Sequence, residues 1–404
     1  MTTKSIYISI LAFILIYALS FQNKTLKATY TLNTNKTVFI AGEKVSLEFS
    51  FSTDSDVQLY CSNSYGSLLI EPEIDDNILN FLIPDSVSKK SGVINWQLLS
   101  NSEAIKGQLT IRPKPTINSI ESYLGPPSIE AGGTDYTMLI VIPTDDLDNP
   151  MADSTKVQIK HQFLDNEIFN DVFTDHGFAY KTINSYKQSG RILISSECLD
   201  LNSKEYDVNV MPAIPTDFTI KAERVHNYAD GNQITIFKTS EIKDRYDNLV
   251  SDGTFVIFYI TDQNGNKTQT FGTTINGMAT AKILHPDHEE QWSVKAYIEG
   301  MANSDTITLD YKQAISNFEV AFSEDKRHIT VGPLQSFMKQ RVPDGLSITL
   351  KLYQNNSLVN EIMKQSSNGF ALFHLSTDEY PQGTYDFEIE TAGLTKSFTN
   401  ITNE

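Results

Sequence analysis

The sequence predicts an all-β protein, and two observations lead to this prediction. The chain has 18 Tyr and 22 Phe among its 404 residues, and Val, Ile and Thr are also frequent; aromatic and β-branched residues favour strands. Apolar and polar residues alternate in short runs such as 45–51, "VSLEFSF", and 255–262, "FVIFYITD". Because the apolar residues are two apart rather than three and four apart, each run presents one apolar face as a strand rather than as a helix.

Internal repetition predicts several similar domains along the chain. The segments 247–258, "DNLVSDGTFVIF", and 275–283, "INGMATAKI", recur in the last quarter as 341–350 and 367–375. Both pairs of glycines in these segments, Gly253 with Gly345 and Gly277 with Gly369, are 92 residues apart. One offset shared by two separate motifs indicates a structural repeat.

Weaker matches extend the repetition to the first half of the chain. Segments 148–159 and 175–183 resemble the same two motifs, and Ser154 takes the place of the first glycine. The first quarter shares only an Ala-Gly pair, Ala41-Gly42, before its strand, as Ala131-Gly132 stands before the next. We therefore expect a more divergent sandwich there.

The domain boundaries are predicted from the repeat phase and from proline. Proline pairs at 112–116, "RPKPT", and 211–216, "MPAIPT", stiffen two junctions. The third junction, 310–316, has no proline, so we expect most bending there. The predicted segments are a signal peptide at 1–20, a divergent β-sandwich at 21–113, and Ig-like sandwiches at 114–213, 214–312 and 313–404.

Strand spacing predicts the type of sandwich. Residues 214–312 contain seven strand candidates, which is typical of an immunoglobulin-like sandwich. They start near Phe218, Gln233, Thr254, Lys267, Met278, Trp292 and Asp305. We expect the four sandwiches to form an elongated array of tandem immunoglobulin-like domains.

The N-terminus predicts export. Lys4 precedes an apolar run from Ile6 to Leu19, which suits a signal peptide but is shorter than the ~20 residues that span a bilayer. Ala18 and Ser20 supply small residues for cleavage before Phe21, and a retained N-terminal anchor is the alternative. We predict an exported protein, periplasmic, secreted or on the cell surface, with no integral membrane span after signal removal.

Charge and cysteine content narrow the possible partners and chemistry. The formal net charge is −18, which disfavours nucleic acid and anionic lipid as partners. The two cysteines, Cys61 and Cys198, fall in different predicted domains; we expect buried, unbonded thiols, with an interdomain bridge as the alternative.

The third repeat resembles the bacterial Ig-like domains of the invasin and intimin group. The residues that carry the resemblance are "ADGNQITI" (229–236), "DRYDNLVSDGTFVIF" (244–258), "NGMATAKI" (276–283) and "WSVKAYIEGMANSDTITL" (292–309). It is clear across 229–312 and partial in repeats two and four; repeat four lacks the Asp-rich segment. The resemblance implies an Ig-like fold and a place among surface adhesins or other secreted proteins.

Few segments offer metal-binding chemistry. The segment 285–290 carries His285, His288, Glu289 and Glu290, but a loop does not place such residues around one metal as a helix with i, i+4 spacing does. The segments 244–248 and 262–266 carry oxygen ligands suited to calcium, but β-turn chemistry explains them equally well, and calcium at a domain junction stays an alternative. We assign no catalytic, cofactor-binding or metal-binding residue and predict no cofactor.

Two stretches, 123–129 and 332–343, carry apolar residues that suit either a contact surface or a cap on the core. Trp96 and Trp292 lie within strand patterns, which disfavours a carbohydrate site. We predict a non-enzymatic structural spacer or adhesion-type component of the bacterial envelope or surface, with a protein partner. The alternative is a protein-binding accessory module of an envelope or secretion assembly.

Overall fold

The computed structural model describes residues 10–13, 28–52, 56–100 and 104–404. Strands make up 59% of the structure and helices 2%, which confirms the all-β prediction. The predicted signal peptide, 1–20, lies outside the described residues apart from 10–13. No helix in the described ranges has both the length and the apolar character needed to cross a bilayer.

The chain divides into two compact units by contact density. Unit 1 contains Met1–Pro127, Thr137–Ile183 and Arg191–Val208. Unit 2 contains Ser128–Tyr136, Asn184–Gly190 and Asn209–Glu404.

The first part of unit 1 is a sandwich of two sheets. Its strands are β1 (Tyr30–Leu32), β2 (Val38–Ile40), β3 (Val45–Phe51), β4 (Gln58–Asn63), β5 (Gly66–Ile70), β6 (Glu73–Asp75), β7 (Ile78–Ile83), β8 (Gly92–Leu99) and β9 (Ile105–Arg112), with a short helix at Asp85–Ser88. The sheet orders are β1-β3-β7-β6 and β2-β9-β8-β4-β5. Between them lies one apolar core in which the Phe49 ring packs edge-on against Phe81 and Trp96, at centroid distances of 5.8 and 5.7 Å.

The next nine strands belong to the second repeat. They are β10 (Ser119–Gly125), β11 (Ser128–Glu130), β12 (Tyr136–Thr144), β13 (Lys156–Phe163), β14 (Asn166–Phe173), β15 (Ala179–Asn184), β16 (Gly190–Cys198), β17 (Leu201–Asn202) and β18 (Tyr206–Met211). In unit 1, β10, β12 and β15 form a three-stranded sheet, and β13 pairs antiparallel with β14 and β16. In unit 2, β11 runs parallel to the end of β18.

Unit 2 continues with a sandwich formed by eight strands. They are β19 (Ile220–Glu223), β20 (Tyr228–Ala229), β21 (Ile234–Thr239), β22 (Phe255–Thr261), β23 (Lys267–Ile275), β24 (Met278–Leu284), β25 (Glu290–Ile298) and β26 (Ala302–Gln313). Seven of these begin within three residues of the predicted starts. Their order is β19-β21-β24-β23-β22-β25-β26-β20, and they enclose one core.

The last seven strands have the same arrangement. They are β27 (Val320–Phe322), β28 (His328–Val331), β29 (Ser347–Gln354), β30 (Ser357–Gln365), β31 (Ala371–His374), β32 (Gly383–Thr391) and β33 (Leu394–Asn403). Three strands, β27-β28-β31, face four, β30-β29-β32-β33, across a separate core. The fold is therefore a series of immunoglobulin-like sandwiches, as predicted.

Backbone hydrogen bonds confirm that the glycine pairs are equivalent. The N–H of Gly253 donates to Thr274 O, and that of Gly345 donates to Ser366 O, both at a separation of 21 residues. The carbonyls of Gly277 and Gly369 likewise accept from residues 35 positions earlier, Ile242 and Leu334. Both bonds are reproduced at an offset of 92, as the repeat requires.

Candidate functional site

The five-residue turn 244–248, proposed from the sequence as possible calcium ligands, is closed around its own carboxylate. One oxygen of Asp244 accepts from the N–H of Tyr246 at 2.7 Å and from the N–H of Asn248 at 3.0 Å. The other oxygen accepts from Asn248 Nδ2 at 2.8 Å. Asp244 and Asn248 are both buried. Turn chemistry thus accounts for this Asp and Asn without a metal ion.

The same turn is hydrogen-bonded to two segments of the chain that lie far from it in sequence. Asp244 Oδ2 also accepts from the N–H of Ala213 at 2.8 Å. Asn248 donates from Nδ2 to the carbonyl of Lys187 at 2.8 Å, and its Oδ1 accepts from the N–H of Ser189 at 2.7 Å. One buried Asp–Asn pair therefore joins three segments, all within unit 2. We call 244–248 with these contacts the second clasp.

An equivalent arrangement, the first clasp, lies within unit 1 at 145–149. Asp145 Oδ2 accepts from the N–H of Lys114 at 2.9 Å. Asn149 donates to Lys89 O at 2.9 Å, and its Oδ1 accepts from the N–H of Ser91 at 2.8 Å. Asp145 and Asn149 both precede their counterparts in the second clasp by 99 residues. Two junctions, 112–116 and 211–216, are thus held by the same set of hydrogen bonds.

The middle residue of each clasp also packs against a glycine of the preceding repeat. A Cβ built on Gly42 would lie 3.4 Å from Leu147 Cδ1, and one on Gly132 would lie 3.1 Å from Tyr246 Oη. Both glycines have positive φ angles, +85° and +143°, which disfavour any side chain. The Ala-Gly pairs noted in the sequence therefore provide space for the clasp of the next repeat.

Hydrogen bonding determines the ionisation of both clasp carboxylates. Burial raises the pKa of Asp145, but bonds from the N–H groups of Asn149 and Lys114 outweigh it and bring the pKa below its ordinary value. Burial likewise raises the pKa of Asp244, but the bonds from Asn248 and Ala213 outweigh it and bring the pKa below its ordinary value. Both clasps are therefore ionised and intact at neutral pH.

A third turn, 262–266, has the same Asp-x-x-x-Asn pattern and the same internal bonds. Asn266 donates from Nδ2 to Asp262 Oδ2 at 2.7 Å, and its N–H donates to Oδ1 at 2.8 Å. Asn266 is exposed and Asp262 is half-buried. Among the residues that the structure describes, Asn266 makes no hydrogen bond outside this turn, so the pattern alone does not make a clasp.

The third junction lacks both the Asp–Asn pair of a clasp and the loop sequence that this pair bonds. Ser336 and Gln340 stand where the 92-residue offset would place the Asp and Asn of a clasp. The N–H of Ser336 still donates to Gln340 O at 2.8 Å, but residue 336 has no carboxylate to accept further bonds. In each clasp the Asn side chain hydrogen-bonds to a loop that we call the receiving loop. The two receiving loops, 89–92 and 187–190, share the pattern Lys-x-Ser-Gly, whereas the corresponding segment at the third junction, 285–288, is His-Pro-Asp-His. Within unit 2, one contact here is a bond from Asn232 Nδ2 to Asp344 O at 2.9 Å.

The two predicted contact stretches are each divided between core and surface. In 332–343, Leu334 and Val342 are buried, whereas Phe337 and Met338 are 69% and 65% exposed. In 123–129, Tyr123 is exposed and Ile129 is buried. The buried side chains cap the core, one of the two alternatives, and the exposed ones remain a predicted contact surface.

The histidine-rich segment 285–290 does not converge on one point. His285 is buried and donates from Nδ1 to Tyr228 O at 2.9 Å, while the exposed His288 Nδ1 lies 2.7 Å from Asp287 Oδ1. Glu290 accepts from Trp292 Nε1 at 2.6 Å. In the described ranges, no three His, Cys, Asp or Glu side chains are grouped so that they could hold a metal ion. Glu289, beside Glu290, lies in the same loop and is exposed.

Both cysteines are free and buried, as predicted. Burial raises the pKa of Cys61 to about 12 and also raises that of Cys198. Both behave as small apolar core residues.

Sequence reasoning noted the 244–248 turn but missed the first clasp at 145–149 and the partners of both clasps. The 244–248 turn was noted as a set of oxygen ligands, but the roles of Lys187 O and Ser189 N were not predicted. Two signals in the sequence indicate them: the Lys-x-Ser-Gly repeat at an offset of 98, and the Asp-x-x-x-Asn repeat at an offset of 99.

No protein-family model matches the chain, and no curated protein matches it. Among solved structures, the Escherichia coli adhesin FdeC is 12% identical, with a TM-score of 0.46 over 70% of this chain and 96% of its own. Invasin, a bacterial integrin-binding protein, is 13% identical, with a TM-score of 0.47 over 92% of this chain and 78% of its own. The Yersinia pseudotuberculosis adhesin InvE is 14% identical, with a TM-score of 0.28 over 59% and 72%.

Proposed function

We propose that this chain is an exported, non-enzymatic spacer or adhesion-type component of the bacterial envelope or surface, built from four tandem sandwiches. The observation that carries the proposal is the repeated clasp. The same buried Asp–Asn pair is used at 145–149 and at 244–248, with partners at matching offsets.

A buried polar network suits a spacer because it fixes geometry. Hydrogen bonds are directional, and a buried polar group left without its partner costs about 1–3 kcal/mol. A junction that bends would break the bonds of Asn149 or Asn248 to the receiving loop, and the unpaired polar groups would then destabilise the bent state. Proline pairs at 112–116 and 211–216 add stiffness to the same two junctions.

The polar residues singled out for possible chemistry support a non-enzymatic role. Asp244, Asn248 and Glu290 are engaged in bonds that hold the fold, and His285, whose Nε2 has no hydrogen-bond partner, is buried away from solvent. A catalytic group needs a free atom within reach of a substrate.

The alternative, a protein-binding accessory module, is favoured by the third junction. Phe337 and Met338 are exposed there, and Met338 is at the repeat position where Leu147 and Tyr246 contact a glycine. A fourth sandwich without a clasp has more freedom to meet a partner. Co-purification from the native envelope fraction distinguishes the two roles, since an accessory module brings a defined stoichiometric partner.

Small-angle scattering of residues 21–404 tests the spacer proposal. We expect an extended particle whose variability is concentrated at 310–316. The double variant Asn149→Ala, Asn248→Ala should broaden the distance distribution, while the control Asn266→Ala should leave it unchanged. A compact globule with the sandwiches gathered around a shared cleft would refute the spacer and favour an enzyme.

A further inference from the structure

A concave apolar surface opens beside the second clasp, within unit 2. Its volume is about 450 Å³. The segment 212–215 forms one wall, and Val250, Phe255 and Met301 contribute to the other side. Ile214, Phe255 and Met301 are 54%, 48% and 60% exposed. Three bulky apolar side chains at one concave site are what a protein exposes for a ligand or partner rather than for solubility.

The clasp fixes the wall of this groove. The N–H of Ala213 donates to Asp244 Oδ2 at 2.8 Å, and the N–H of Thr216 donates to Lys243 O at 2.8 Å. Pro215, between these two bonds, and Pro212, just before them, restrict the backbone. A wall held in this way loses little entropy when a ligand binds, so the groove is preorganised.

The charge around the groove has one sign. Glu130 and Glu299 are its only charged lining residues, and both are exposed. Neither makes an ion pair within the residues that the structure describes. The whole chain carries a formal charge of −18. A basic ligand would therefore be attracted, while a second copy of this chain or an anionic lipid surface would be repelled.

The groove is particular to this junction. At the first junction, the residues 99 positions before Ile214 and Phe255 are Pro115 and Lys156, and Lys156 Nζ lies 2.8 Å from Asp171 Oδ2. Neither position carries a bulky apolar side chain at the first junction, although a clasp is present there. The clasp does not require this groove, so a purely structural role at the junction leaves its side chains unexplained.

We propose that the groove binds an extended segment of a partner protein in which bulky apolar side chains alternate with Lys or Arg. The apolar side chains lie between the 212–215 wall and Phe255, and the basic groups meet Glu130 and Glu299. This binding site goes beyond the spacer role, because it needs only the second clasp and the groove beside it, whose lining includes Glu130 and Ala213 of the preceding sandwich.

The test uses the full chain and a fluorescein-labelled peptide, Lys-Phe-Lys-Leu-Lys, with Glu-Phe-Glu-Leu-Glu as the matched peptide. We expect saturable binding of the basic peptide by fluorescence anisotropy. Phe255→Ser should weaken it about tenfold or more, as truncation of an apolar anchor does. Glu130→Lys with Glu299→Lys should reverse the preference between the two peptides.

The control variant is Leu372→Ser, since Leu372 is exposed in β31 and lies outside the groove; its affinity should stay within about twofold of the wild type. No saturable binding up to about 1 mM, equal binding of the acidic peptide, or equal loss in the control would each overturn the proposal. Scattering on the same samples separates this failure from that of the spacer role, because an extended particle that binds no peptide refutes the groove alone.

Discussion

Replacing Asn248 with Ala tests the second clasp directly. The change removes two hydrogen bonds to the receiving loop, at Lys187 O and Ser189 N, and one bond within the turn. Each of the two outer bonds contributes roughly 1–2 kcal/mol when its loss leaves a partner unsatisfied. The loop 187–190 should therefore lose about 2–4 kcal/mol of local stability.

The measurement is hydrogen exchange of the Ser189 amide, which reports local opening of this loop. A loss of 2 kcal/mol corresponds to about a thirtyfold faster exchange. Asn266→Ala is the matched control, because it removes the same internal turn bond and no outer bond. The Ser189 exchange rate should be unchanged in this control. A change below about threefold in Asn248→Ala, or an equal change in both variants, would refute the clasp.

Three further predictions follow from burial. His285 and His161 are buried, and burial is the main cause that lowers the pKa of each; the unfolded chain then binds more protons, so the melting temperature should fall as pH drops below about 6.5, and His285→Gln should reduce that dependence. Cys61 and Cys198 should fail to react with a thiol reagent in the native chain and react fully in denaturant, whereas fast native labelling would contradict their burial. Gly107→Ala places a Cβ 2.4 Å from the indole ring of Trp96 and should lower the free energy of unfolding of the first sandwich by about 1–3 kcal/mol, measured in urea. An unchanged midpoint would exclude that clash.

Sequence patterns predict much of the fold. Period-two alternation identified strands such as Val45–Phe51 and Phe255–Thr261, because alternate side chains on a strand face the core. The 92-residue offset identified equivalent turns before any contact was known. Resemblance to the invasin and intimin group added the fold class, and the sheets of the structure agree with it.

The contacts at the first and third junctions are not encoded in the linker sequences. Proline content predicts a stiff junction at 112–116, but it says nothing of Asp145 or of the Lys89 carbonyl that accepts a hydrogen bond from Asn149. Likewise, the absence of proline at 310–316 predicted mobility, and the loss of Asp and Asn at 336 and 340 is a separate reason for it. The hydrogen bonds that hold these junctions come from side chains that the linker itself does not contain.

Three segments with one sequence pattern show what the sequence determined and what it left to the tertiary structure. Segments 145–149, 244–248 and 262–266 all read Asp-x-x-x-Asn, and all form the same turn. The sequence determines that turn, because its bonds join residues two and four apart. Only the tertiary structure decides that the first two Asn side chains reach a loop about sixty residues away while the third stays at the surface. A bond of that span depends on where the strands carry each turn, which no local pattern encodes.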